Sequence, residues 1–312
     1  MTILILGESD DEHAVHMRDH LRARGADAVH IDPEWFPGRM TIAFDPTEET
    51  GEIVVPEGRT IPFDQISAVY WRNYSGVQSS DLPDDDQAYV AENDSRGLFE
   101  SMLIWLPARW VNGWSAVQLH QTKPVQLAMV ARLGIPIPRS IVTNAPSPLV
   151  KFAGQHLRLI FKPVQGGAHT RRLTPAQLQP QNLQNLKLAP VSIQEEVPGT
   201  NVRVFVVGER VLACEITTDE VDFRDDGAQR IVPHDLPAEA VEMSRTIART
   251  LGLLWTGIDF RLTPDGRYVF LEANPSPMFM GFEHYSGLPL TEALGDLLIG
   301  EPATVKSADL TS

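Results

Sequence analysis

The apolar positions of this chain follow two rhythms, and the first to appear is a short continuous run. Ile3-Leu4-Ile5-Leu6 is unbroken and reads as a buried strand over 1–7. Helical spacing takes over at 11–24 and stops at Gly25, and 28–31 reads as a second strand, so the chain opens as α/β. Short strands around polar turns fill 40–66. Another strand covers 68–72 and carries the aromatic pair Tyr70-Trp71; the acidic turn 84–86 then leads into a helix over 87–106.

The texture changes around 110–115. Thr122 is placed to cap a helix with Pro124 near its first turn, followed by Leu127, Val130 and Ala131 and a stop at Gly134. Strands are expected at 140–143 and 158–164, the second running straight into Gly166-Gly167. The stretch 173–190 is rich in Gln, Asn, Leu and Pro and predicts a polar helix and connector. From Val191 on, strands dominate at 191–195, 201–207 and 210–217, a helix spans 238–251, and a hairpin closes on Asp265-Gly266. The fold class is therefore α/β, with α+β character in its second half. The divisions expected are an N-terminal α/β domain at 1–115, a central subdomain at 116–185, a mainly antiparallel C-terminal subdomain at 186–300, and a loose tail at 301–312.

Composition narrows the function classes. Forty-one acidic residues against 26 basic ones give a net charge of -15. Such a chain repels phosphate backbones and anionic lipid, which excludes nucleic acid and membrane surfaces as default partners. No basic leader precedes an apolar core, and no run approaches the ~18 apolar residues of a membrane span, so a cytoplasmic location is expected. The single cysteine, Cys214, excludes an internal disulfide and a cysteine-rich metal site; its apolar setting, Val211-Leu212-Ala213, predicts a buried and inert thiol. No Ser-His-Asp or Cys-His set is evident, and the histidines show no metal-ligand spacing. Gly7-Glu8-Ser9-Asp10 lacks the G-x-G-x-x-G pattern and is too acidic to cradle phosphate.

The closing hairpin carries the most chemistry. Glu272 and Asn274 are two apart on a strand and share a face. A two-residue Asp265-Gly266 loop would set Asp259 opposite Glu272, whereas a type I turn with a glycine bulge would shift the pairing by one. Facing carboxylates destabilise a sheet unless neutralised, and a magnesium ion, which prefers hard oxygen ligands, would do so. Lys162 ends an apolar strand ahead of Gly166-Gly167, whose backbone N–H groups could approach phosphate oxygens; Lys123 sits at a helix start, where the dipole also favours an anion. Ser192-Ile193-Gln194-Glu195-Glu196-Val197-Pro198-Gly199 is a strand that breaks into acids and a turn. It offers backbone groups to an adenine edge and an acid to ribose hydroxyls. Arg203, Arg224 and Arg261 lie in or beside strands and need anionic partners.

In order, these residues resemble the ATP-grasp fold from about residue 110 to 298. Within it the chain is similar to ribosomal-protein glutamate ligases and to the microviridin-type peptide-cyclising ligases (graspetide ligases). Lys123-Pro124-Val125-Gln126-Leu127, Gly134-Ile135-Pro136-Ile137-Pro138, Val142-Thr143-Asn144 and Tyr70-Trp71-Arg72 carry the second likeness; Asp222-Phe223-Arg224 and Glu272-Ala273-Asn274-Pro275-Ser276-Pro277 carry the first. The resemblance implies an N-terminal pre-ATP-grasp domain and an ATP-dependent ligase acting through an acyl phosphate. It implies that Lys123, Lys162, Gly166 and Gly167 hold ATP phosphates. Glu195, Glu196 and Val197 would form the adenine hinge, and Asn201 would lie beside the ribose, where many relatives carry an acid. Asp259, Glu272 and Asn274 would bind Mg2+, two ions being expected, and Arg203 and Arg224 would stabilise the transferred phosphoryl group.

The first function implied is a peptide macrocyclase joining Asp or Glu side chains of a precursor peptide to its Ser, Thr or Lys side chains. The second adds an amino acid to a peptide or small carboxylate. A nucleotide-binding regulatory protein without turnover is the third. A homodimer is compatible with each. Arg72, Arg171 and Arg172 are the residues expected to meet an acidic peptide.

Overall fold

Five consecutive buried side chains form β1 (Thr2–Leu6), and β1 is central to the sheet it nucleates. The computed structural model describes residues 1–165, 168–218 and 230–300. Contacts divide the chain into two units: the first holds Met1–Trp114, Met278–Met280 and the segment from Pro289; the second holds Ser115–Pro277 and Gly281–Leu288.

In the first unit, α1 (Glu12–Ala23) starts where Asp11 accepts a hydrogen bond from Ala14 N at 2.8 Å. It is followed by β2 (Asp27–Ile31), and a small antiparallel sheet of β3 (Thr41–Asp45), β4 (Thr50–Val54) and β5 (Thr60–Pro62) precedes β6 (Ile66–Trp71). After α2 (Asp85–Trp105), capped by Asp84, comes β7 (Arg109–Val111). The main sheet is parallel in the order β2-β1-β6-β7, and its inner strands β1 and β6 are buried and read as apolar runs.

The second unit takes in α3 (Trp114–Gln121), α4 (Lys123–Arg132), β8 (Ser140–Thr143), α5 (Pro146–Ala153), β9 (Leu159–Lys162), β10 (Arg171–Arg172), a short α6 (Pro180–Leu183) and β11 (Val191–Glu195). Then come β12 (Thr200–Val207), β13 (Arg210–Thr217), β14 (Arg230–Pro233), α7 (Ala238–Thr250), β15 (Trp255–Leu262), β16 (Tyr268–Asn274) and α8 (Met280–Ser286); α9 (Leu290–Ile299) belongs to the first unit. Two sheets result, β10-β9-β11-β8 and β14-β13-β12-β15-β16. One core, including Leu149, Leu159 and Ile193, backs the smaller sheet; a larger one, including Val130, Val204, Ile258 and Phe270, backs the other. No helix among the described residues is long and apolar enough to cross a membrane.

Two local readings from the sequence change, and the hairpin register, open in the sequence, takes one form. Thr122 heads α4, but its hydroxyl donates back to Leu119 O at 2.7 Å and does not cap the helix. The stretch 173–190 breaks into short pieces at Pro175–Leu178, Pro180–Leu183 and Gln184–Lys187, because Pro180 removes the donor a continuous helix would need. The closing hairpin has a three-residue loop: Thr263 pairs with Arg267 and Gly266 takes a φ of +83°. That loop shifts the pairing by one. An irregularity between Asp259 and Phe260, with Leu271 as the extra residue, shifts it back, and Asp259 ends opposite Glu272.

Candidate active site

The larger sheet sets the site. Arg203 on β12 is the cross-strand partner of Asp259 on β15. Its guanidinium grips both carboxylate oxygens, Nε to Oδ1 and Nη2 to Oδ2, each at 2.7 Å, with side chains 11% and 16% exposed. Behind it the Phe282 ring centroid lies 4.8 Å from the guanidinium carbon. A bidentate pair this deep has little rotational freedom, so Asp259 presents its oxygens in one orientation.

Glu272, facing Asp259, is neutralised by the protein as well. Lys123 Nζ donates to its Oε2 at 2.8 Å. Burial pushes the Glu272 carboxyl up, but the Lys123 and Lys162 ammonium groups outweigh it and hold the pKa at about 2. Lys162 ends β9 in the smaller sheet and Lys123 opens α4, so a strand end and a helix start both act on one carboxylate of the larger sheet. Asn274 shares the face of Glu272, and its Oδ1 accepts from Ser276 N at 2.9 Å. His120 joins the group: burial and Lys123 lower its pKa, and its Nδ1 lies 3.0 Å from Ala273 O. Neither His120 nor Gln126, whose amide meets the same peptide, was singled out in the sequence as a site residue. The only signal for Gln126 was its position one helical turn after Lys123.

The expected hinge lies where β11 leaves its sheet. Glu195 N donates to Arg139 O at 2.9 Å and Glu196 N to Arg158 O at 3.0 Å. The Glu196 carboxylate is held by Arg172, which lowers its pKa. Val197 O accepts from Arg261 Nε at 3.1 Å, and Arg261 Nη1 donates to Asn201 Oδ1 at 2.8 Å. Asn201 Nδ2 is buried with no partner among the described residues. Gly199 carries the turn between hinge and β12. Its φ is +130°, and a Cβ there would lie 2.0 Å from Leu262 O.

Gly166, Gly167 and Arg224, expected to contact phosphate, lie outside the described residues. Arg72 differs from its expected role: it is 11% exposed and its Nε donates to Asp11 Oδ1 at 3.0 Å, so it is spent inside the first unit. Arg172 is 62% exposed but paired with Glu196. Cys214 is fully buried, as its apolar setting predicts.

A family model described as a RimK-like ATP-grasp domain matches residues 121–298, more than half of the chain. The chain belongs to the RimK-like ATP-grasp family. This ATP-grasp chain is similar over 95% of its length to the ATP-grasp ligase PsnB, solved with a phosphomimetic variant of its minimal precursor, Mg and ADP. Identity is 32%, the TM-score 0.82, and 97% of that chain is covered. It is also similar to the macrocyclase MdnC of Microcystis aeruginosa bound with precursor peptide MdnA, at 25% identity and a TM-score of 0.83, over 96% of this chain and 100% of that one. A protein of Haemophilus ducreyi named as a probable alpha-L-glutamate ligase is 29% identical over 202 residues, covering 61% of this chain and 65% of that protein. The chain thus spans just under two thirds of that curated relative's length.

Asp259, Glu272 and Asn274 offer hard oxygen donors on facing strands, a set that fits a magnesium ion. The Lys123 and Lys162 ammonium groups hold the Glu272 carboxyl well below the usual carboxylate range, which keeps it a charged donor.

Proposed function

We propose that this ATP-grasp protein is a peptide-modifying ligase that links Asp or Glu side chains of a precursor peptide to hydroxyl or amine side chains of the same peptide. The observation that carries the ligase chemistry is the convergence of Lys123, Lys162, Glu272 and the Arg203–Asp259 pair in one unit. Likeness to PsnB and MdnC over nearly the whole chain supports the peptide substrate.

A carboxylate does not condense with an alcohol or amine in water until one of its oxygens becomes a leaving group, and ATP supplies this through an acyl phosphate. Lys123 and Lys162 would lie against the phosphates, with Gly166 and Gly167 in the loop over them. Glu195, Glu196 and Val197 would read the adenine edge. Because the Glu195 and Glu196 N–H groups are already bonded to Arg139 O and Arg158 O, the Glu196 carbonyl and Val197 N–H, with no partner among the described residues, are left for that task. Asn201 Nδ2, buried and unpaired among the described residues, would donate toward the ribose. Asp259, Glu272 and Asn274 would hold magnesium, two ions being the expectation. When bound, the metal neutralises charge on the phosphate oxygens. Arg203 holds Asp259 in place and, with Arg224, would meet the charge that develops in transfer. This division of labour, positioning plus electrostatics, is the usual one for phosphoryl transfer. This reading keeps the expected cytoplasmic location, where ATP is supplied.

The test is mass spectrometry of a precursor peptide rich in Thr, Ser, Asp and Glu, incubated with the protein, ATP, Mg2+ and free amino acids. A loss of one water per crosslink, matched by ADP release, is expected. A gain of one amino-acid residue per turnover would favour the second reading, which the name of the H. ducreyi relative supports. Nucleotide binding without ADP release would overturn both.

A further inference from the structure

The face of α4 that carries Lys123 carries a second polar side chain, and it is buried. Gln126 lies one turn further along and is 2% exposed. Its amide behaves as a substitute strand: Nε2 donates to Ala273 O at 2.9 Å and Oε1 accepts from Ala273 N at 2.9 Å. β16 is the edge of its sheet, so these outward backbone groups have no neighbouring strand among the described residues to pair with. His120 Nδ1, 3.0 Å from the same carbonyl, adds a third contact. Ala273 lies between Glu272 and Asn274 and two residues past the irregularity at Leu271, where the ladder is weakest.

We infer that Gln126 is a positioning residue of the metal and phosphate site. Its amide fixes both the strand segment that aims Glu272 and Asn274 and the helix start that sets Lys123 Nζ 2.8 Å from Glu272. The inference rests on the reading of Asp259, Glu272 and Asn274 as magnesium ligands. One side chain thereby couples the placement of the cation-binding oxygens to that of the phosphate-facing ammonium. A residue that only filled the core would contribute volume, but not register. Leucine has nearly the volume of glutamine, yet it can neither donate to nor accept from Ala273, so it separates the two roles.

The test compares Gln126→Leu with Val130→Ala, a change one turn further on the same helix at a fully buried core position. Calorimetric titration with ADP, with and without Mg2+, is read beside the thermal midpoint of each variant. Gln126→Leu should weaken Mg2+-dependent ADP binding about tenfold or more, the range found when groups that orient metal ligands are removed. Val130→Ala should lose thermal stability and bind as the wild type does. Gln126→Glu keeps the acceptor for Ala273 N and loses the donor to Ala273 O, and should weaken Mg2+-dependent binding in the same direction; it gives the answer if the leucine variant does not fold. Wild-type affinity in the Gln126 variants, or an equal loss in Val130→Ala, would overturn the inference. A wild-type protein whose ADP binding ignores Mg2+ would overturn the metal reading on which it rests.

Discussion

Replacing Arg203 by methionine tests whether the Arg203–Asp259 pair binds as tightly as its bidentate geometry implies. The variant keeps most of the side-chain length and its contact with Phe282, but leaves the Asp259 carboxylate, 16% exposed, without its bidentate partner. Removing one partner of a buried pair costs about 3–5 kcal/mol, because the remaining charge is stranded in a poorly solvating site. For a folding unit of this size each kcal/mol lowers the midpoint by roughly 2–4 °C, so a fall of about 6–20 °C is expected in scanning calorimetry. The double variant Arg203→Met/Asp259→Leu removes both charges and should recover much of the loss, since a buried ion pair is often no better than apolar side chains of similar volume. A single variant costing less than about 1 kcal/mol, the value of an exposed pair, would refute the reasoning. So would a double variant whose cost is the sum of the two single ones.

Glu272 gives a pH signature. Its pKa falls from an ordinary 4.5 to about 2 on folding, so its pairing stabilises fully above about pH 4.5 and is lost as the pH drops toward about 2. Lys123→Met should move that loss to higher pH in urea unfolding curves, and Glu272→Gln should flatten that limb; unchanged curves in both would contradict the pairing. Burial pushes the Cys214 thiol up to about 12, against a smaller opposing effect of Arg203. A maleimide should therefore label Cys214 only after denaturation, and rapid stoichiometric labelling of the native protein would contradict its burial.

What the sequence could reveal depended on distance along the chain. The opening strand, the helix stopped at Gly25 and the antiparallel run after Val191 were legible because each rests on local periodicity and a local stop signal. The facing of Asp259 and Glu272 was anticipated for a two-residue loop, whereas the longer loop that forms was the alternative expected to shift it. Periodicity cannot show that a three-residue turn and an irregularity at Leu271 cancel, since an extra strand residue looks like any other. The protein's own neutralisation of both carboxylates was not visible either. Arg203 and Asp259 are 56 residues apart, and Lys123 and Glu272 are 149 apart, so no local pattern links them. The expectation that a metal is needed to relieve facing carboxylates was therefore incomplete: Arg203 and Lys123 already do so, and the case for magnesium rests on donor chemistry. α9 went unread although Leu290, Ala293, Leu294, Leu297 and Leu298 fall at helical spacing, with Glu292 and Asp296 between them.

The most direct test of the site is a calorimetric titration of the wild-type protein and Glu272→Gln with ADP, each in the presence of Mg2+ and of a chelator. Wild-type binding should strengthen sharply with Mg2+, and that gain should vanish in the variant while its fold is kept. Equal Mg2+ enhancement in both proteins would contradict the site.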